Sequence, residues 1–92
     1  MDIGFTEDAD ELLTELELLG SETDIDAVSR ILELLQQDPG DPRLRTKTYS
    51  GKPKPRITPC PPSNFSVVWE LVDQEQPIIK VTLVADLRTR RP

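Results

Sequence analysis

The chain has 92 residues, with seventeen acids against eleven bases, no histidine and one cysteine. That length allows one domain with a modest core. A lone Cys60 excludes an internal disulfide, and without histidine neither a structural zinc site of the usual nitrogen and sulfur ligands nor His-based acid–base chemistry can be built. The four glycines are scattered singly, so there is no Gly-rich phosphate loop. No apolar run approaches the roughly 18 residues of a membrane span, and the acidic N-terminal region is unlike the basic start of a secretory signal; the cytoplasm is the expected compartment. The charge is unevenly placed. Residues 1–40 hold twelve acids and one base, Arg30, for −11, whereas residues 41–92 hold ten bases and five acids, for +5. An acidic half followed by a basic half points the second half toward an anion, phosphate above all, against the plainer reading of a solvated helical face beside a basic tail.

Residues 2–5 read as a short strand. Thr6 then reads as an N-cap, with Glu7 and Asp8 in the positive first turn of a helix. Ala9, Leu12, Leu13, Leu16 and Leu19 recur at helical spacing, and Gly20 supplies the stop. Leu18 points away from that stripe and is expected at a core edge rather than bare for a partner. Thr23 followed by Asp26 reads as a weaker capping box opening a second helix, whose stripe is Ile25, Val28, Ile31, Leu32 and Leu35 and which ends at the Asp38-Pro39-Gly40-Asp41-Pro42 run. Two antiparallel helices follow, each with a stripe wide enough to need a further layer.

That layer is expected from residues 65–87. Phe65, Val67, Trp69 and Leu71 alternate with the mixed set Ser66, Val68, Glu70 and Val72, and Ile79, Val81, Leu83 and Ala85 with Ile78, Lys80, Thr82 and Val84, so a hairpin is the simplest pairing. In the stretch containing Pro53, Pro55, Pro59, Pro61 and Pro62 the missing backbone donors leave room only for an edge or bulged strand around 54–58 within an ordered loop of about 52–64. The fold class is therefore α+β, in the order β-α-α-β-β-β: two antiparallel helices on one face of a small, mainly antiparallel sheet, one domain over 1–92 with a basic tail at 88–92. The expected core holds Leu12, Leu16, Ile31, Leu35, Trp69, Val81 and Leu83. Trp69 and Phe65 are expected in the core rather than stacked on bases, Cys60 as a passive apolar residue, and Tyr49 in a packing or surface role.

Several strings go further. Phe5-Thr6-Glu7-Asp8-Ala9-Asp10-Glu11-Leu12, Ile31-Leu32-Glu33-Leu34-Leu35-Gln36-Gln37-Asp38-Pro39 leading into Asp41-Pro42-Arg43-Leu44, the later Ser50-Gly51, and Phe65 through Asp73 with Ile78 through Arg91 together resemble the RelE/ParE toxin superfamily. The resemblance implies the toxin of a bacterial or phage type II toxin–antitoxin pair, with an antitoxin protein as partner, no cofactor and no metal. RelE-like members are metal-independent endoribonucleases that cut mRNA on the ribosome, holding the scissile phosphate with basic residues; ParE-like members instead inhibit DNA gyrase. For RNA cleavage by a neighbouring 2′-OH, charge builds on the phosphorus oxygens, and preorganised cations stabilise it by kcal/mol each in a dry site.

Carried over by position, the resemblance makes Arg56 and Arg88 the catalytic pair; Lys52, Lys54, Arg90 and Arg91, from the same basic half, are the expected phosphate or RNA contacts. Thr58 stands where a second strand cation is expected, and Ser66 where an arginine is expected. The sequence also lacks the C-terminal aromatic or histidine that some members use for proton transfer. The alternative is thus a non-catalytic, ParE-like toxin or a protein-binding module that has lost nuclease activity.

Overall fold

The computed structural model describes residues 2–48, 55–72 and 78–86. Strand β1 (Asp2–Phe5) leads into helices α1 (Glu7–Leu19) and α2 (Glu22–Gln37). A 3₁₀ turn (Pro42–Leu44) follows, then strands β2 (Lys47–Thr48), β3 (Arg56–Pro59), β4 (Ser66–Val72) and β5 (Ile78–Ala85). The strands make one five-stranded sheet in the order β1-β5-β4-β3-β2. All neighbours are antiparallel except β1, which runs parallel to β5. The expected α+β layout of two helices on one face of a mainly antiparallel sheet is present, with one strand more than the sequence suggested. Because β2 pairs with β3, the expected edge strand is an inner one, its Thr58 and Pro59 lying opposite Val67 and Ser66 of β4.

Thr6 caps α1 as expected, its hydroxyl accepting from the Ala9 amide at 3.2 Å. Ala9 and Leu16 are buried, Leu12 and Leu13 half-buried, but Leu19 is 80% exposed and Leu18 77% exposed. At about 100° per residue, Leu18 stands opposite Ala9 on the helix and Leu19 about 80° to one side. Leu18 therefore faces solvent rather than a core edge, and Leu19 falls off the stripe to which it was assigned. Helix α2 starts two residues earlier than expected: Ser21, not Thr23, is the N-cap, and its hydroxyl accepts from the Asp24 amide at 3.2 Å. Ser21 to Asp24 repeats the same capping spacing. Gly20 permits so short a link, since a Cβ there would stand 2.5 Å from the Leu16 carbonyl oxygen. From α2, Ala27, Val28, Ile31 and Leu35 enter the core.

The hairpin of β4 and β5 contains a bulge that changes which residues are buried. Val68 lies opposite Leu83 but Trp69 opposite Val81, leaving Thr82 as the extra residue. Its hydroxyl donates to the Val68 carbonyl at 3.2 Å. An extra residue reverses the alternation beyond it. Ile79 and Val81 are buried as expected, but past the bulge Val84 is buried while Leu83 is only half-buried. Leu71, expected on the inner face, is exposed. On the outer face Lys80 and Glu70, opposite each other in register, form an ion pair at 3.6 Å. One core joins Ala9, Leu16, Val28, Ile31 and Leu35 of the helices to Val67, Trp69, Ile79, Val81 and Val84 of the sheet, with Leu44 and Cys60 closing its ends. No helix among the described residues is long and apolar enough to cross a membrane.

Candidate anion-binding site

The basic character of the second half takes shape around Arg56. On β3 it lies opposite Trp69 of β4, and its guanidinium carbon sits 5.1 Å from the centroid of the indole. Trp69 is fully buried and its Nε1–H donates to the Thr58 hydroxyl at 2.9 Å. Thr58 in turn shares a hydrogen bond of 2.7 Å with the hydroxyl of Thr46. Where the resemblance led to the expectation of a second cation, the chain thus has a fully buried hydroxyl that satisfies an indole N–H. An ammonium or guanidinium in its place would be desolvated against the core. Ser66, the other such position, is half-buried at the start of β4, opposite Pro59 and Ala85.

The facing wall is a loop that holds itself together. The Asp38 carboxylate accepts from the Gly40 amide at 3.0 Å, and the Asp41 carboxylate accepts from the Arg43 amide at 2.9 Å, both being turn-forming bonds of an Asx type. Pro42 opens the 3₁₀ turn and Leu44, almost fully buried, anchors it to the core. The turn ends at Arg45, whose φ of 52° and ψ of 37° are left-handed, an uncommon conformation for a side chain of this size. Between this turn and β3 lies a cleft of about 280 Å³ lined by Asp41, Pro42, Arg45, Thr46, Thr48 and Arg56, among others.

The charge of the cleft is lopsided. Arg43 makes a forked contact with Asp41, at 2.7 Å from Nη2 and 3.1 Å from Nε to Oδ2. That hydrogen bonding holds the Asp41 carboxyl below its usual range. Arg45 and Arg56 make no ion pair with a carboxylate among the described residues. Two guanidinium groups, with the Thr48 hydroxyl beside them, can hold an oxyanion in forked geometry, while the Thr46 hydroxyl is engaged with Thr58. They cannot take a proton from a nucleophile, because guanidinium groups stay charged. No cluster of metal-ligating side chains occurs among the described residues.

Of the residues expected at the site, Arg56 is in the cleft. Arg88, Lys52, Lys54, Arg90 and Arg91, and also Tyr49, lie outside the described residues. Arg45, Thr46 and Thr48 were not anticipated. The available signal was the proline-opened turn after Asp41, which ends on an arginine close to the edge of a sheet. Cys60 is fully buried, and burial pushes its thiol up to about 12, so it is the passive apolar residue expected. A second groove, of about 340 Å³, runs between α1 and the sheet and is lined by Leu12, Leu16, Leu19, Phe65 and Val84 with Glu15 at its rim.

No family model matches the sequence, and no curated protein matches it. Among solved structures, the fold is similar to one described as a YoeB/ParE toxin from Agrobacterium tumefaciens, with a TM-score of 0.75 over 92% of this chain and 96% of that one, at 7% sequence identity. Two helices packed on a five-stranded mixed sheet are thus a fold this chain shares with that toxin, in line with the layout the sequence resemblance implied.

Proposed function

We propose that this chain is the toxin-like component of a toxin–antitoxin pair, directed at RNA, and that the cleft between Arg45 and Arg56 receives a phosphate of the RNA backbone. The observation that carries the RNA reading is the pair of guanidinium groups without carboxylate partners among the described residues, around a polar cleft, on a fold shared with a YoeB/ParE toxin. Arg88, which the resemblance pairs with Arg56, and Lys52, Lys54, Arg90 and Arg91 add positive charge in the same half of the sequence. The partners are an antitoxin protein and ribosome-bound mRNA.

Arg56 stabilises negative charge on a phosphate and Trp69 holds it there. The described cleft supplies no group that exchanges a proton near neutral pH, so cleavage would run on charge stabilisation and positioning alone. The chain is therefore read as a RelE-like endoribonuclease of reduced power, whose RNA binding outlasts its catalysis. The same want of a proton-transfer group favours a second reading, a non-catalytic ParE-like toxin aimed at a protein such as DNA gyrase. Three assays on the purified protein separate them: affinity for a single-stranded RNA oligonucleotide as salt is varied, cleavage of mRNA on programmed ribosomes, and gyrase supercoiling. Salt-sensitive RNA binding that is lost in the Arg45→Ala/Arg56→Ala double variant is the expected result. RNA affinity unchanged in that variant, together with gyrase inhibition, would replace the RNA reading with the second.

A further inference from the structure

We infer that Thr46, Thr58 and Trp69 form a positioning device that sets the spacing and direction of the two arginines of the cleft; this rests on the phosphate-directed reading above. Thr58 is the one fully buried polar side chain in the core of the described residues, and its hydroxyl has two partners rather than one. The bond from Trp69 Nε1 fixes the rotation of the indole and therefore the plane over which Arg56 lies at 5.1 Å. The bond to Thr46 ties down the residue that follows Arg45, where the backbone is left-handed. One hydroxyl thus joins the strand that carries Arg56 to the turn that carries Arg45. Satisfying the indole alone would need only the first bond. The second gives the buried Thr58 hydroxyl a further partner and, in doing so, ties the two walls of the cleft to one another.

An arginine over an aromatic face loses much of its freedom before a ligand arrives, because the ring quadrupole and the flat contact restrain the guanidinium plane. A phosphate then meets a preorganised fork, and less ordering is left for binding to supply. Thr58 and Trp69 act through Arg56, and Thr46 through Arg45; none of the three needs to touch the ligand.

The test uses the whole chain and a labelled twelve-residue polyuridine, with the ring-current shift of the Arg56 side-chain protons as a readout that does not depend on RNA. Thr58→Val keeps the shape and removes both bonds, and should weaken RNA binding about five-fold and reduce the ring-current shift. Thr58→Ser should restore both. In an Arg56→Ala background the Thr58→Val effect should shrink to the part transmitted through Arg45. Thr46→Val removes only the outer bond and serves if Thr58→Val proves too unstable; it should weaken RNA binding through Arg45 and leave the ring-current shift in place. Full RNA affinity in Thr58→Val and Thr46→Val, alongside a loss in Arg56→Ala, would overturn the inference while leaving the phosphate reading intact. Unchanged affinity in Arg56→Ala would end the phosphate reading, and an unaltered ring-current shift in Thr58→Val would then overturn the positioning device on its own terms.

Discussion

Leu16 and Leu19 belong to one leucine stripe in the sequence, yet the structure gives them opposite consequences when they are shortened. Leu16 is 5% exposed and reaches the joint core, whereas Leu19 is 80% exposed at the end of α1. Leu16→Ala removes three buried carbons at about 0.8 kcal/mol each, plus a cavity contribution. Because Leu16 also lines the open groove beside Phe65 and Val84, water and neighbouring side chains can partly fill the space, so the total stays near 3 kcal/mol rather than the upper end of the known range. Leu19→Ala forfeits only about a fifth of a leucine's burial, roughly 0.5 kcal/mol, and recovers some of that through the better helix propensity of alanine. For a domain of this size an unfolding entropy near 0.2 kcal/mol per kelvin converts 3 kcal/mol into a fall in Tm of about 15 °C, against 2 °C or less for Leu19→Ala. Urea titration followed by the fluorescence of Trp69, the sole tryptophan and fully buried, reads both variants directly. Equal losses in the two variants would refute the placement of Leu19 outside the core, and with it the helix phase argued above.

Removing Asp41, the one carboxylate among the described residues that line the cleft, should strengthen anion binding: Asp41→Asn frees Arg43 and deletes a negative charge near Arg45, and RNA affinity measured by anisotropy should rise about three-fold at low salt. Because the guanidinium groups do not titrate and Asp41 is held below its usual range, RNA affinity should be flat from pH 5 to pH 8; a step in that range would mean that another group controls the cleft. Cys60, whose thiol stands at about 12 when folded against roughly 8.5 when exposed, contributes stability that is whole below about pH 8.5 and is lost as pH rises toward 12, since the unfolded thiol ionises first. Urea midpoints between pH 8 and pH 10.5 should therefore fall in the native chain and fall less in Cys60→Ala. Ser63 donates to the Asp24 carboxylate at 2.6 Å and accepts from the Phe65 amide at 3.1 Å, joining the loop before β4 to the start of α2. Ser63→Ala should cost about 1–2 kcal/mol by denaturant titration, and no loss would show that this link is dispensable.

What could be read in the sequence was whatever depends on near neighbours. Thr6 before two acids, the stripe of α2 and the alternation of the hairpin each carry their own local signal, and each led to the right element. The errors arose where two local signals compete or where a distant residue decides. Ser21 and Thr23 both offer a hydroxyl three residues before an aspartate, and the chain caps α2 with the first, directly after the closely packed Gly20. Leu83 and Val84 are told apart by a bulge at Thr82 that no run of alternating residues reveals. Arg56 was reached through resemblance, but Arg45 became part of the site only through the 3₁₀ turn and a hydrogen bond between residues 46 and 58. The buried role of Thr58 likewise needed the tryptophan eleven residues away.

The parallel pairing of β1 with β5 has a consequence for how the chain reaches this fold. Asp2–Phe5 aligns with Ile78–Val81, and just beyond it the Thr6 amide donates to the Val81 carbonyl at 2.9 Å, so the first strand waits for a partner more than seventy residues away. Strand β5 also lies between β1 and β4 and receives α1 on its face. On a translating ribosome the leucine-lined side of α1 therefore emerges long before the strand that will cover it. Contacts so distant in sequence slow folding, because a long loop must close before any pairing compensates for it. In the interval the nascent chain presents an apolar helical stripe and an unpaired strand, the surfaces that chaperones hold and that aggregates recruit. Refolding from urea should accordingly be slow for a chain of 92 residues, and a version in which β1 is moved to follow β5 through a short linker should fold faster at similar stability.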